Sequence, residues 1–78
     1  MLTIEMTDTF AGETNYSWVK RIENFEIDQN WTYQRTIKEI KKALEIEGAK
    51  FKLHVNCGDF KAWDIKGACV RVMLITTY

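Results

Sequence analysis

The stretch "ACVRVMLITTY", residues 68–78, alternates in a way that decides the fold. Val70, Val72 and Leu74 share one parity, Met73 and Ile75 the other, and only Arg71 interrupts the second set. Side chains of a strand point alternately to opposite faces, so a strand that is apolar on both belongs in the middle of a sheet whose two faces are covered. The rest of the chain has to supply neighbouring strands and two covers.

The neighbours are legible. In "LTIEMTDTF" (2–10), Leu2, Ile4 and Met6 alternate with Thr3, Glu5 and Thr7, the period of a half-buried strand, and "AGETN" (11–15) reads as a turn. A second strand is expected from Tyr16 to Ile27. There Tyr16, Trp18 and Ile22 share one parity and Val19, Phe25 and Ile27 the other, a switch that calls for a bulge or bend near residues 22–25. Further on, Phe51, Leu53, Val55 and Cys57 alternate with Lys52, His54 and Asn56, and "NCGD" (56–59) supplies the residues of a hairpin turn. "FKAWDIKG" (60–67) reads as a shorter, less regular strand or loop closed by Gly67.

One cover is also legible. Tyr33, Ile37, Ile40 and Leu44 recur at helical spacing and form one stripe. Asp28, Asn30 or Thr32 could cap its start, and Gly48 is placed to end it in a left-handed conformation. Arg35, Lys38 and Lys42 lie opposite the stripe with Glu39 and Glu45 as expected partners, and Ile46 falls off the apolar side, where exposure is expected. The expected fold class is α+β: an antiparallel sheet of four or five strands with one helix packed on one face, β-β-α-β-β, with a further short strand allowed. A helix of about four turns shields one sheet face and not two. The second cover would come from the chain's own loops, from a second copy in a homodimer, or from a partner.

Composition sets the outer bounds. At 78 residues, residues 1–78 read as a single domain that buries only about 60% of its unfolded surface. With 46% apolar and 28% charged residues the chain folds, and without proline, repeats or low-complexity tracts it has no internal boundary. No apolar run reaches membrane-spanning length and no signal peptide is visible, which makes the cytosol the expected compartment. Cys57 and Cys69 are expected as buried small hydrophobes. Net charge is zero, yet residues 1–30 carry six acids against Lys20 and Arg21, and residues 31–78 carry nine cations against five acids. That asymmetry persists as a surface feature unless the two halves interleave in the sheet.

Partner contact is the expected use of the aromatic and charged side chains Glu13, Tyr16, Trp18, Lys20 and Arg21, together with Lys61, Trp63 and Lys66. Trp63 is the ring expected outside, Trp18 is expected inside with Tyr16 at the rim, and Trp31 precedes the helix as a staple onto its first turns. At least two of the three tryptophans are expected to be core, since a chain this small needs large side chains there.

Other chemistries are less well marked. Lys50, Lys52, His54, Lys61, Trp63 and Lys66 interleave bases and rings as nucleic-acid binders do, but a pI near 6.6 gives no overall attraction to phosphate. Solvated lysines explain them as well. His54 is the only histidine; with Glu13 it would be an acid–base pair by residue type alone. His54, Cys57, Asp59 and Cys69 have weak zinc-like spacing with mismatched strand parity. Gly12, Gly48, Gly58 and Gly67 are scattered and form no phosphate loop, so neither catalysis nor a cofactor or metal is expected.

Two stretches together, "DTFAGETNYSWVKR" (8–21) and "CGDFKAWDIKGACVRVMLI" (57–75), resemble a loosely defined group of small, mostly uncharacterised proteins of phages and integrated mobile elements. In that group a strand leads through a Gly-Glu turn into an aromatic strand, followed by a helix and a closing hairpin. The resemblance implies such a source, and sources of this kind often encode compact inhibitors of host defence machinery, anti-CRISPR proteins among them; the expected function is non-enzymatic occlusion of a host protein in the host cytoplasm. A small nucleic-acid-binding regulator is the alternative.

Overall fold

The computed structural model describes residues 2–76, in the order β1 (Leu2–Phe10), β2 (Glu13–Phe25), α1 (Tyr33–Leu44), β3 (Phe51–Asn56), β4 (Phe60–Ile65) and β5 (Val70–Thr76). The five strands form one antiparallel sheet, β2-β1-β5-β4-β3. The doubly apolar strand β5 is central, as its alternation requires. The order β-β-α-β-β is corrected to β-β-α-β-β-β, because residues 60–65 form a regular strand paired on both sides, with β3 and with β5.

The helix covers one face. Ile4, Val72, Leu74 and Trp63 from the sheet meet Ile40 and Leu44 from α1, with Ile22, Ile37 and Phe51 packed around them. Each such side chain contributes about 1.5–3 kcal/mol by leaving water. Trp63 is the largest residue in this cluster; its ring stacks on Phe51 at 5.9 Å, and Nε1 donates to the Tyr33 hydroxyl at 2.8 Å. The expectation that Trp63 is exposed is therefore overturned: it is 1% exposed, because β4 lies one strand in from the edge and turns this residue toward the helix.

Thr32 caps α1, its hydroxyl accepting from the Arg35 amide, and Trp31 lies beneath the Arg35 guanidinium, 5.5 Å from ring centre. The helix ends at Glu45 and not at Gly48. Glu45 takes the left-handed conformation (φ 62°), its amide bonds to the Lys42 carbonyl and the Ile46 amide to that of Lys41. This closing motif turns the next apolar residue back toward the helix, so Ile46 packs on the core and is not exposed as its helical phase implies.

Three bulges shape the strands. Ile4 pairs with Ile22 and Leu2 with Phe25, so β2 gains one residue within 22–25, where Asn24 has φ 58°; this is the expected bulge. A second, larger one lies between Thr7↔Val19 and Thr9↔Thr14, where Asp8 alone faces Asn15, Tyr16, Ser17 and Trp18. In β3, Leu53 pairs with Trp63 but Val55 with Ala62, which breaks the expected alternation and moves Val55 to the face away from the helix. Cys57 and Cys69 sit in the turns before β4 and β5, exposed and unbridged, not in the core.

The second face is covered in part by the chain itself. Ala62 and Met73 point away from the helix yet are buried, and Thr14 and Tyr16 line the same 260 Å³ groove although β2 and β4 are separated by two strands. The end of the β1–β2 hairpin therefore leans across this face. Arg71, the lone polar interruption in β5, anchors it: the buried guanidinium donates to the Gly12 carbonyl at 2.8 Å and to Asp64 at 2.7 Å. Nearer β2, buried Glu5 accepts from Arg21 at 2.7 Å.

Candidate functional site

What the hairpin leaves outside is apolar. Phe10 is 76% exposed, Tyr16 52%, Val19 46% and Trp18 43%, four large hydrophobic side chains within ten residues of sequence on β1, β2 and their connection. Isolated exposed hydrophobics are ordinary on a protein surface, whereas four carried by one hairpin mark it as the candidate contact surface. Trp18 was expected inside and is not. It falls in the wide bulge of an edge strand and has no neighbouring strand on its outer side.

The bulge is built rather than loose. Asp8 accepts from the Asn15 side-chain amide at 2.8 Å, the Ser17 amide at 3.0 Å and the Ser17 hydroxyl at 2.6 Å. The buried Thr7 hydroxyl donates to the Trp18 carbonyl at 2.7 Å. These bonds close around Tyr16, which holds φ 55°, a conformation a tyrosine adopts only where its surroundings impose it. The Ser17 hydroxyl, the Asn15 amide and the Ser17 backbone N–H together hold the Asp8 carboxyl well below the usual carboxylate range.

The expected contact residues divide. Glu13, Tyr16 and Trp18 are exposed on the hairpin. Lys20 and Arg21 are engaged internally: Lys20 Nζ donates to the Leu44 carbonyl at 3.1 Å and lies 3.8 Å from Glu45, tying β2 to the helix C-terminus, while Arg21 holds Glu5. Half-buried Lys61 and buried Trp63 belong to β4 and exposed Lys66 to the turn after it, with β1 and β5 between them and β2. The eight residues do not form one surface. Phe10 and Val19 complete the hairpin patch and were not singled out in the sequence; the available signal was Phe10 directly preceding the Ala11-Gly12 turn, where a core position is hard to reach.

The array of bases and rings read across β3 and β4 is likewise split. Lys61 and Trp63 pair with Leu74 and Val72 on the helix side, whereas Lys52 and Asp64 pair with each other and Asp64 with Arg71 on the other side. His54 Nδ1 lies 3.9 Å from Asp64 Oδ2 at the rim of the second-face groove. Among the described residues, no group of three or more His, Cys, Asp or Glu side chains is placed to hold a metal ion. The two halves of the chain do not interleave. Residues 2–25 form the β2-β1 side of the sheet and residues 51–76 the β5-β4-β3 side, but the helix, with four of the nine cations of residues 31–78, packs back against β2, so the charge asymmetry is not carried over as two opposed sides.

No family model, no curated protein and no solved structure matches this chain. No helix among the described residues is long and apolar enough to cross a membrane.

Proposed function

We propose that this chain is a small, non-enzymatic binding protein that docks on a partner protein through the outer surface of the β1–β2 hairpin. The observation that carries the reading is the exposure of Phe10, Tyr16, Trp18 and Val19 on a segment whose conformation is fixed by Asp8. Aromatic anchors on a pre-formed surface bind with little ordering cost, and interfaces draw most of their energy from a few such residues. Exposed Glu13 adds a negative charge on the same hairpin, which favours a basic partner surface. The resemblance to phage and mobile-element proteins directs the proposal to a host defence protein in the host cytoplasm, inhibited by occlusion.

The test is affinity capture from host lysate with the wild type, a Phe10→Ala/Trp18→Ala variant and a Leu53→Ala control. A protein held by the wild type and the control and lost at least about tenfold by the hairpin variant supports the reading, since two anchors are each worth about 1–2 kcal/mol or more. Equal capture by all three removes it.

A further inference from the structure

The helix leaves the β3 edge of its own face open: Leu53 is 48% exposed there. Between α1 and β3 lies a groove of 380 Å³, bordered by Tyr33, Ile37, Lys38, Lys41 and Lys42 of the helix and floored by Phe51 and Trp63. That volume lies in the range of small-molecule sites. The floor offers almost no hydrogen bonding, because the indole N–H of Trp63 is already taken by Tyr33.

The rim is cationic and unneutralised. Helical spacing places Lys38, Lys41 and Lys42 on neighbouring positions of one side. Their expected partners are engaged elsewhere: Glu39 pairs with Arg35 at 3.2 Å and Glu45 with Lys20 at 3.8 Å. Among the described residues no carboxylate stands within ion-pair distance of any of the three, although Glu47 borders the same groove. The helix dipole accounts for Lys41 and Lys42 in the last turn, but not for Lys38. Nucleobase stacking is disfavoured here, since Phe51 is stacked on Trp63 and covered by the Lys41 ammonium at 5.1 Å, while Trp63 is buried. An apolar floor with a triple cationic rim complements an apolar body with one anionic head.

We infer that the groove between α1 and β3 is a binding site for a free medium-chain carboxylate, its chain against Tyr33, Ile37 and the half-buried Phe51 and its carboxylate among Lys38, Lys41 and Lys42. The groove borders the β3 edge of the sheet and the hairpin patch the β2 edge, with no residue in common, so it stands independently of that patch.

The test is a titration followed by the indole N–H resonance of Trp63, using sodium decanoate below its micelle concentration, decyltrimethylammonium as the same chain with opposite charge, and phosphatidylglycerol vesicles. Expected are a saturable shift with decanoate alone, weakened at least about tenfold in the Lys38→Gln/Lys41→Gln/Lys42→Gln variant and unchanged in Phe10→Ala/Trp18→Ala. Any of three results overturns the inference: no saturable shift, an equal response to the cationic chain, or unchanged affinity in the triple variant. Binding to vesicles without binding of free decanoate also overturns it, since that describes a charged surface and no enclosed site.

Discussion

Trp18 and Trp63 sit in strands of similar composition, each two residues from a lysine, and the fold treats them oppositely. Trp63 pairs with Val72 and Leu53 in a strand flanked on both sides, and faces the helix. Trp18 lies in the bulge of an edge strand, with β1 on one side and solvent on the other. Local pattern is nearly the same in the two places; what differs is the strand's rank in the sheet and the register that the bulges impose. A tryptophan's burial in so small a sheet is thus decided by topology, and the ring left outside is the one available for contact.

Removing the inner ring has the largest expected effect. Trp63→Ala deletes the biggest fully buried side chain and leaves Tyr33 and Phe51 without their partner, so a loss of about 3–5 kcal/mol is expected in urea unfolding, enough to unfold much of a domain this size. A loss below about 1 kcal/mol would mean that the core lies elsewhere.

The next effect concerns the strap across the second face. Arg71→Ala frees the hairpin turn from β5 and leaves Asp64 without its guanidinium, which is expected to cost about 2 kcal/mol and to raise amide exchange around Gly12. Unchanged exchange there would show that the hairpin is held by something other than Arg71.

A smaller, local effect is expected from pH. The folded-state pKa of Asp8 is depressed, so its bonds add stability that is present above the unfolded value of about 3.9 and is lost as pH falls through the folded value. Amide exchange of Ser17, measured from pH 7 downward, is expected to stay protected through pH 4 and to open only in stronger acid. Asp8→Asn should open it at neutral pH and abolish the dependence. A Ser17 amide that loses protection near pH 4 in the wild type would contradict the role given to Asp8.

The layout of the fold was largely readable. Period-two alternation in 2–10 and 70–75 and helical spacing in 33–44 each report burial on one or both faces, and burial is what fixes strand and helix. The central rank of β5 followed from its two apolar faces. What was not readable depends on contacts distant in sequence: β4 is regular because β3 and β5 pair with it, Ile46 is packed because Glu45 turns left-handed, and Val55 changes face because His54 is an extra residue in its strand. The site was half legible. The aromatics of 16–18 stood out, but the register shift that exposes them depends on Asp8 reaching Asn15 and Ser17, a side-chain contact that leaves no periodic trace.

The most direct test of the account is the urea unfolding free energy of a Phe10→Ser/Trp18→Ser variant, because the hairpin rings can be a contact surface only if the fold does not depend on them. A change of about 1 kcal/mol or less is expected, as for exposed positions generally. A loss of about 3 kcal/mol or more, comparable to Trp63→Ala, would make these rings part of the core and contradict the claim.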